Sequence, residues 1–181
     1  GMISDARLLR GYGRWTGLAD RIRVGEYRLS DDMRPADLLA MLVSGRSISY
    51  SLTLLEGWNI RQVRAAVAGH EALEQTLQEA DDAELMKRLG VEGQHPEGRF
   101  FPDTYRFERG MTDIAFLRRA YDKMESELSA AWAERVDELP LESAEEALIL
   151  ASIVEKETGL ASERREIAGV FTRRLKRGMK L

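Results

Sequence analysis

The sequence predicts an α+β fold, a small α/β module followed by a mostly helical domain. Three observations carry that expectation. Ile48, Tyr50, Leu52 and Leu54 alternate with Ser47, Ser49, Ser51 and Thr53, the period of a strand with one face buried. Residues 112–136 repeat Ile114, Phe116, Leu117, Ala120, Met124 and Leu128 at helical intervals. Residues 142–157 open on Ser143 and Glu146, the spacing of a capping box, and run straight into the apolar stretch Leu148 to Val154.

Composition narrows the class of protein. The 181 residues are 44% hydrophobic and 32% charged, as in an ordinary globular chain. A net charge of -4 gives no general affinity for nucleic acid. The basic cluster Arg173, Arg174, Lys176 and Arg177 falls in the last turn of a helix, where cations suit the dipole. With no cysteine, disulfides, thiolate chemistry and cysteine zinc sites are excluded. His70 and His95 lie far apart without ligand spacing, so neither a metal nor a cofactor is expected. No run approaches the ~20 apolar residues of a membrane span, and no signal peptide is visible. Gly1-Met2 reads as a tag remnant on a trimmed chain.

In chain order, residues 3–17 read as the tail of a helix with Leu8, Leu9, Tyr12 and Trp15 on one face. Residues 1–18 form this helical lead-in. Residues 19–68 form the α/β module: a short strand at 25–29, a helix opened by Pro35 and closed by Gly45, and the strand at 48–55. Asn59 is placed to cap a helix over 60–68. Residues 69–181 make up the helical domain. Two short helices are expected in 70–90, then an aromatic loop carrying Phe100, Phe101, Tyr105 and Phe107. Rings interleaved with Glu97, Asp103 and Arg106 suit a sugar-binding wall, and they suit a core-plugging loop as well. Asp103 and Tyr105 are the better candidates to face substrate. After the long helix and the 142–157 helix, Ser162 is placed to cap a last one.

The apolar residues of 148–154 lie on nearly every side of the helix, the mark of a buried element. Glu155 stacks over Ser152, Ala151 and Leu148, and Glu157 over Val154, Ile153 and Leu150. A carboxylate carried to the edge of an apolar surface is disfavoured in its charged form, which is what a general acid near neutral pH requires. On these residues alone, Glu-Lys-Glu at a helix end is more often the point where a core helix meets solvent. Spacing does not choose between Glu155 and Glu157.

A family resemblance adds to this. The run Ile149 to Thr158, then Ala161-Ser162-Glu163-Arg164, Val170-Phe171, Arg174-Leu175 and Gly178-Met179, resembles the signature of the MltG-type (YceG-like) endolytic murein transglycosylases. Leu55-Glu56-Gly57-Trp58 and Glu97 through Phe107 agree in order and spacing, so the resemblance covers nearly the whole chain. It implies that residues 19–68 are LysM-like, a module associated with glycan binding. It implies cleavage of the β-1,4 bond between N-acetylmuramic acid and N-acetylglucosamine in peptidoglycan strands, leaving a 1,6-anhydro end. Glu155 matches the family's acid/base, and Glu97, Asp103, Tyr105, Glu157 and Glu163 are candidates for substrate contact. It further implies a single-pass inner-membrane anchor, absent here, that leaves this region on the periplasmic side with wall synthases as neighbours. Two departures stand out. The family's Asn-Arg-Leu is Arg173-Arg174-Leu175 here, and the chain stops at Leu181 where the family continues, which implies weak binding or cleavage by this chain alone. Two other classes remain open: a peptidoglycan-binding module without catalysis, and a PLP-dependent aminodeoxychorismate lyase, the family's other label. The second needs a Schiff-base lysine and a phosphate-cradling loop, and neither is visible.

Overall fold

Seven α-helices and four short strands are present among the described residues. The computed structural model describes residues 6–30 and 33–179, with side chains from residue 11 onward. Gly1-Met2, the expected helix start at residue 3, and the side chains of Leu8 and Leu9 lie outside these.

Helix α1 (Ala6–Trp15) ends with Trp15 84% exposed, so this ring is not on the buried face that its spacing suggests. Residues 25–29 form no strand; a backbone bond from Ile48 N to Glu26 O at 2.6 Å links them to the chain preceding β1. Helix α2 (Pro35–Ser44) starts on Pro35 and stops at Gly45 in the left-handed region, as expected. Strand β1 (Ser49–Thr53) follows, and Asn59 caps α3 (Ile60–Ala68) in a reciprocal capping box with Gln62.

Two regions depart from the sequence reading. The first of the two helices expected in 70–90 is instead β2 (Leu73–Glu74), and only α4 (Asp82–Arg88) is helical there. The second half of the aromatic segment is not a loop. It is β3 (Thr104–Glu108), antiparallel to β1 with Ser51 opposite Arg106. Burial alternates along β3, with Tyr105 and Phe107 inward and Thr104, Arg106 and Glu108 outward. The partner of β1 thus lies beyond residue 68. Strand β4 (Met111–Thr112) pairs in parallel with β2.

Thr112 caps α5 (Asp113–Ala133), whose Phe116, Leu117, Ala120 and Tyr121 lock onto the β1–β3 ribbon, α3 and α4. Phe116 stands edge-on to both Tyr105 and Phe107. The connected core runs from Leu54 to Tyr121. Helix α6 (Ala144–Glu157) packs on α5, α7 (Arg164–Lys176) packs on α6, and neither adds to that core. Only Leu150 and Val154 are buried on α6, Ile149 is 55% exposed, and α7 buries no residue. The apolar stretch is therefore not a buried helix. Its periodicity reported composition, and among the described residues no neighbour covers its second face.

Candidate functional site

Helix α6 is fixed at its start by Ser143, whose hydroxyl accepts from Glu146 N at 3.2 Å, while Glu146 Oε2 reaches back to Glu142 N at 2.7 Å. Glu155 lies in the last turn of this 14-residue helix, and the neighbouring segments decide what it meets. The Glu155 side chain is 30% exposed, and its Oε2 lies 2.9 Å from Arg164 Nη2, at the first residue of α7. The same Nη2 lies 3.6 Å from Glu56 Oε2. The adjacent Lys156 donates to the carbonyl of Gly57 at 2.8 Å across 99 residues of chain.

The turn Leu55-Glu56-Gly57-Trp58 thus lies against the end of α6. Gly57 has φ +73°, and a Cβ built there would sit 3.9 Å from Glu155 Cγ and 3.8 Å from Lys156 Nζ. Only glycine adopts that backbone without strain. A second glycine turn lies along the same helix two turns earlier: Gly98, also at φ +73°, would place a Cβ 3.8 Å from Leu148 Cδ2. Arg99, its side chain 12% exposed, binds Glu145 of α6 and reaches Glu125 of α5 at 3.6 Å. Two loops from the β-containing half therefore flank α6, and Glu155 lies at the junction.

The link between α6 and α7 aims Arg164. Thr158, buried, ends α6 in extended backbone and donates its hydroxyl to Glu163 Oε2 at 2.8 Å while accepting from Leu160 N at 3.0 Å. Glu163 occupies the N-cap position of α7 without a side-chain cap bond, so the cap expected from Ser162 is not made.

The other residues singled out in the sequence divide in two. Glu97 is exposed, and its Oε2 accepts from Ile60 N at 3.1 Å, completing the first turn of α3 close to the Gly57 turn. Glu157 is exposed on the last turn of α6. Asp103 is exposed at the foot of β3; Lys123 and the amide of Thr104 hold its carboxyl below the usual carboxylate range. Its carbonyl accepts from Leu54 N, which places it beside the chain leading into the Leu55–Trp58 turn. Tyr105, in contrast, points into the core. It is 5% exposed, its hydroxyl donates to Phe101 O at 2.7 Å, and burial followed by the nearby Asp103 charge pushes it up to about 12. The alternation Thr104-Tyr105-Arg106-Phe107 carried that outcome, and reading the segment as a loop hid it.

Glu56 and Arg164 were given no role from the sequence, although both fall inside quoted motifs. Their charges are opposite and their positions far apart in the chain, so only the fold reveals that they meet. Among the described residues no group of three His, Cys, Asp or Glu side chains is placed to hold a metal. No helix there is long and apolar enough to cross a membrane.

The endolytic murein transglycosylase of Bacillus subtilis strain 168 is 26% identical over 197 residues, covering 99% of this chain and 54% of that protein. The endolytic murein transglycosylase of Streptococcus pneumoniae serotype 2 strain D39 is 26% identical over 212 residues, covering all of this chain and 37% of that protein. The chain thus spans about half the length of these relatives, or less. The crystal structure of a yceG-like protein from Listeria monocytogenes shares the fold, with a TM-score of 0.57 at 23% identity over 99% of this chain and 64% of that one. The sequence profile of the YceG-like family matches residues 1–181, and the chain belongs to that family.

Proposed function

We propose that the chain carries the acid/base of an endolytic peptidoglycan lytic transglycosylase. The observation that supports it most is the position of Glu155, a part-buried carboxylate at the junction of α6, the start of α7 and the Gly57 turn. The names of the relatives and the family match support the same reading.

In the proposed reaction the bond cleaved is the β-1,4 link from N-acetylmuramic acid to N-acetylglucosamine. The Glu155 carboxyl gives its proton to the bridging oxygen as the bond to C1 breaks. The sugar's own C6 hydroxyl attacks C1, and the Glu155 carboxylate takes the hydroxyl proton, forming the 1,6-anhydro ring and restoring the acid. Hydrolysing glycosidases need a second carboxylate as nucleophile or base. Here the internal hydroxyl takes that place, so no second carboxylate is needed beside Glu155. Within this proposal Glu97, Asp103 and Glu157 offer exposed oxygens to hydroxyl and acetamido groups, and Glu163 acts by fixing Thr158 and the start of α7. Tyr105, spent in the core, is given no part. A LysM-like glycan-holding part is proposed around residues 19–68, with the strand that pairs with β1 supplied by β3 from beyond residue 68, and a membrane anchor elsewhere in the protein would keep the site on the periplasmic side, near wall synthases.

Mass spectrometry of peptidoglycan incubated with wild type and with Glu155→Gln tests the reading. Anhydro-ended fragments from wild type alone are the expected result. Reducing-end fragments would overturn the lyase in favour of a hydrolase, and equal fragments from both proteins would remove Glu155 from the chemistry. Glycan binding without fragments from either would favour the non-catalytic binding module.

A further inference from the structure

We propose that Lys156 is a positioning residue that aims Glu155 by clamping the last turn of α6 to the main chain of the Gly57 turn. The inference rests on the acid/base role given to Glu155 above and names the group that holds it in place.

A general acid has to reach the bridging oxygen at hydrogen-bond distance, so a displacement of about 1 Å costs rate even where substrate still binds. Helix α6 does not inherit that accuracy from the main core, because none of its residues belongs to it. Its buried Leu150 and Val154 hold it by apolar contact, which has no preferred direction. The Gly57 turn, in contrast, is fixed from both sides. Leu54 before it and Ile60 after it are core residues, 2% and 7% exposed, and Trp58 packs against the same core. Trp58 N also donates to Leu55 O at 3.3 Å, closing the turn on itself.

Lys156 joins the two. Its Nζ donates to the carbonyl of Gly57 at 2.8 Å, a directional bond to a main-chain acceptor that cannot rotate away. Glu155 and Lys156 leave the helix about 100° apart around its axis, so fixing the ammonium fixes the direction of the carboxylate. Gly57 completes the fit. Its missing side chain leaves room for Glu155 Cγ, which would lie 3.9 Å from a Cβ built there. The other ties do not do this. Arg99 binds Glu145, at the opposite end of α6. Arg164 reaches the turn only through Glu56, a side chain 67% exposed, at 3.6 Å.

The test pairs a contact with a rate in the 181-residue chain. One α-proton of Gly57 occupies the place of the missing Cβ, so wild type should give a nuclear Overhauser contact between it and the γ-protons of Glu155. Lys156→Met keeps most of the stem and removes the donor, so the contact should vanish. On soluble peptidoglycan strands the kcat for anhydro fragments should fall at least about 10-fold, with KM within about two-fold of wild type. Lys156→Arg keeps a cationic donor and should retain the contact and bring kcat to within about three-fold of wild type. Lys156 is exposed, so both variants should unfold at the wild-type urea midpoint, which separates aim from lost stability. A contact that survives in Lys156→Met, that is missing from wild type or Lys156→Arg, or whose loss leaves kcat unchanged overturns the proposal. The contact is read without turnover, so the two readings fail separately. No anhydro fragments from wild type would sink the transglycosylase reading, whereas fragments together with a contact that outlasts Lys156→Met would sink only the clamp.

Discussion

Asp113 gives the sharpest check on how the scaffold is held. It is the first residue of α5, 1% exposed, and its Oδ2 accepts from the amides of Thr76 and Leu77, both at 2.8 Å. Its Oδ1 accepts from the Thr76 hydroxyl at 2.5 Å and from Ile114 N at 2.7 Å. The carboxylate thus pins the segment after β2 to the positive end of α5. Hydrogen bonds to a charged group contribute about 1.5–3 kcal/mol each, and the helix dipole adds roughly 0.3–1 kcal/mol. Against this, Asp113→Ala removes the cost of burying the carboxylate, and Thr76, only part-buried, regains water. Counting the Leu77 amide and one Thr76 bond leaves a loss of about 3–4 kcal/mol for Asp113→Ala. Asp113→Asn keeps the shape and one acceptor oxygen, so about 2 kcal/mol is expected. Urea denaturation at neutral pH would read both, and a melting scan should show the alanine variant about 10 °C lower. A loss below about 1 kcal/mol for alanine would refute the reasoning, as would an asparagine variant as damaged as the alanine one, since charge would then not be what holds the segment.

Three further predictions follow from the same contacts. The Asp103 carboxyl is held low by Lys123 and the Thr104 amide, so it stabilises the fold above the unfolded carboxylate range near pH 4, and this is lost as pH falls through its lowered folded value. Urea midpoints between about pH 2 and 5 should therefore fall less steeply in Asp103→Asn than in wild type. Gly57→Ala should cost about 1–2 kcal/mol from the left-handed backbone alone, since the added Cβ meets its neighbours at ordinary contact distance; an unchanged urea midpoint would contradict it. Native-state hydrogen exchange should find the amides of α6 and α7 opening at lower free energy than those of α5, because neither helix belongs to the connected core.

What the sequence made legible was local. Asn59, Ser143 and Gly45 cap or close their helices as their chemistry requires, and the two-residue alternation of β1 reports its half-buried face. What stayed hidden depends on partners distant in the chain. The alternation of β3 is as regular as that of β1, but its partner Thr53 sits 51 residues before Thr104, and the aromatic content drew attention to ligand stacking instead. Two-residue strands such as β2 and β4 are too short to leave a period at all. Ile149 shows the opposite failure, since an apolar residue records what a helix is able to bury and says nothing of whether a neighbour arrives to cover it.

That asymmetry bears on how the site works. The motif glutamate sits on a helix outside the main core, where Leu150 and Val154 are buried and a few polar ties set which face meets its neighbours. Lys156 to the Gly57 carbonyl, Arg164 to Glu155 and Glu56, and Arg99 to Glu145 and Glu125 each join α6 to a segment on the other side of the junction. Exposed ion pairs contribute only about 0–1 kcal/mol each. Their worth here is in geometry, since they fix which face of α6 meets the Gly57 turn. Ties of that strength break and reform without unfolding anything, which suits the acid/base role proposed for Glu155. A helix sealed into the Leu54–Tyr121 core would hold Glu155 more firmly, but would deny the proposed glycan substrate access to it.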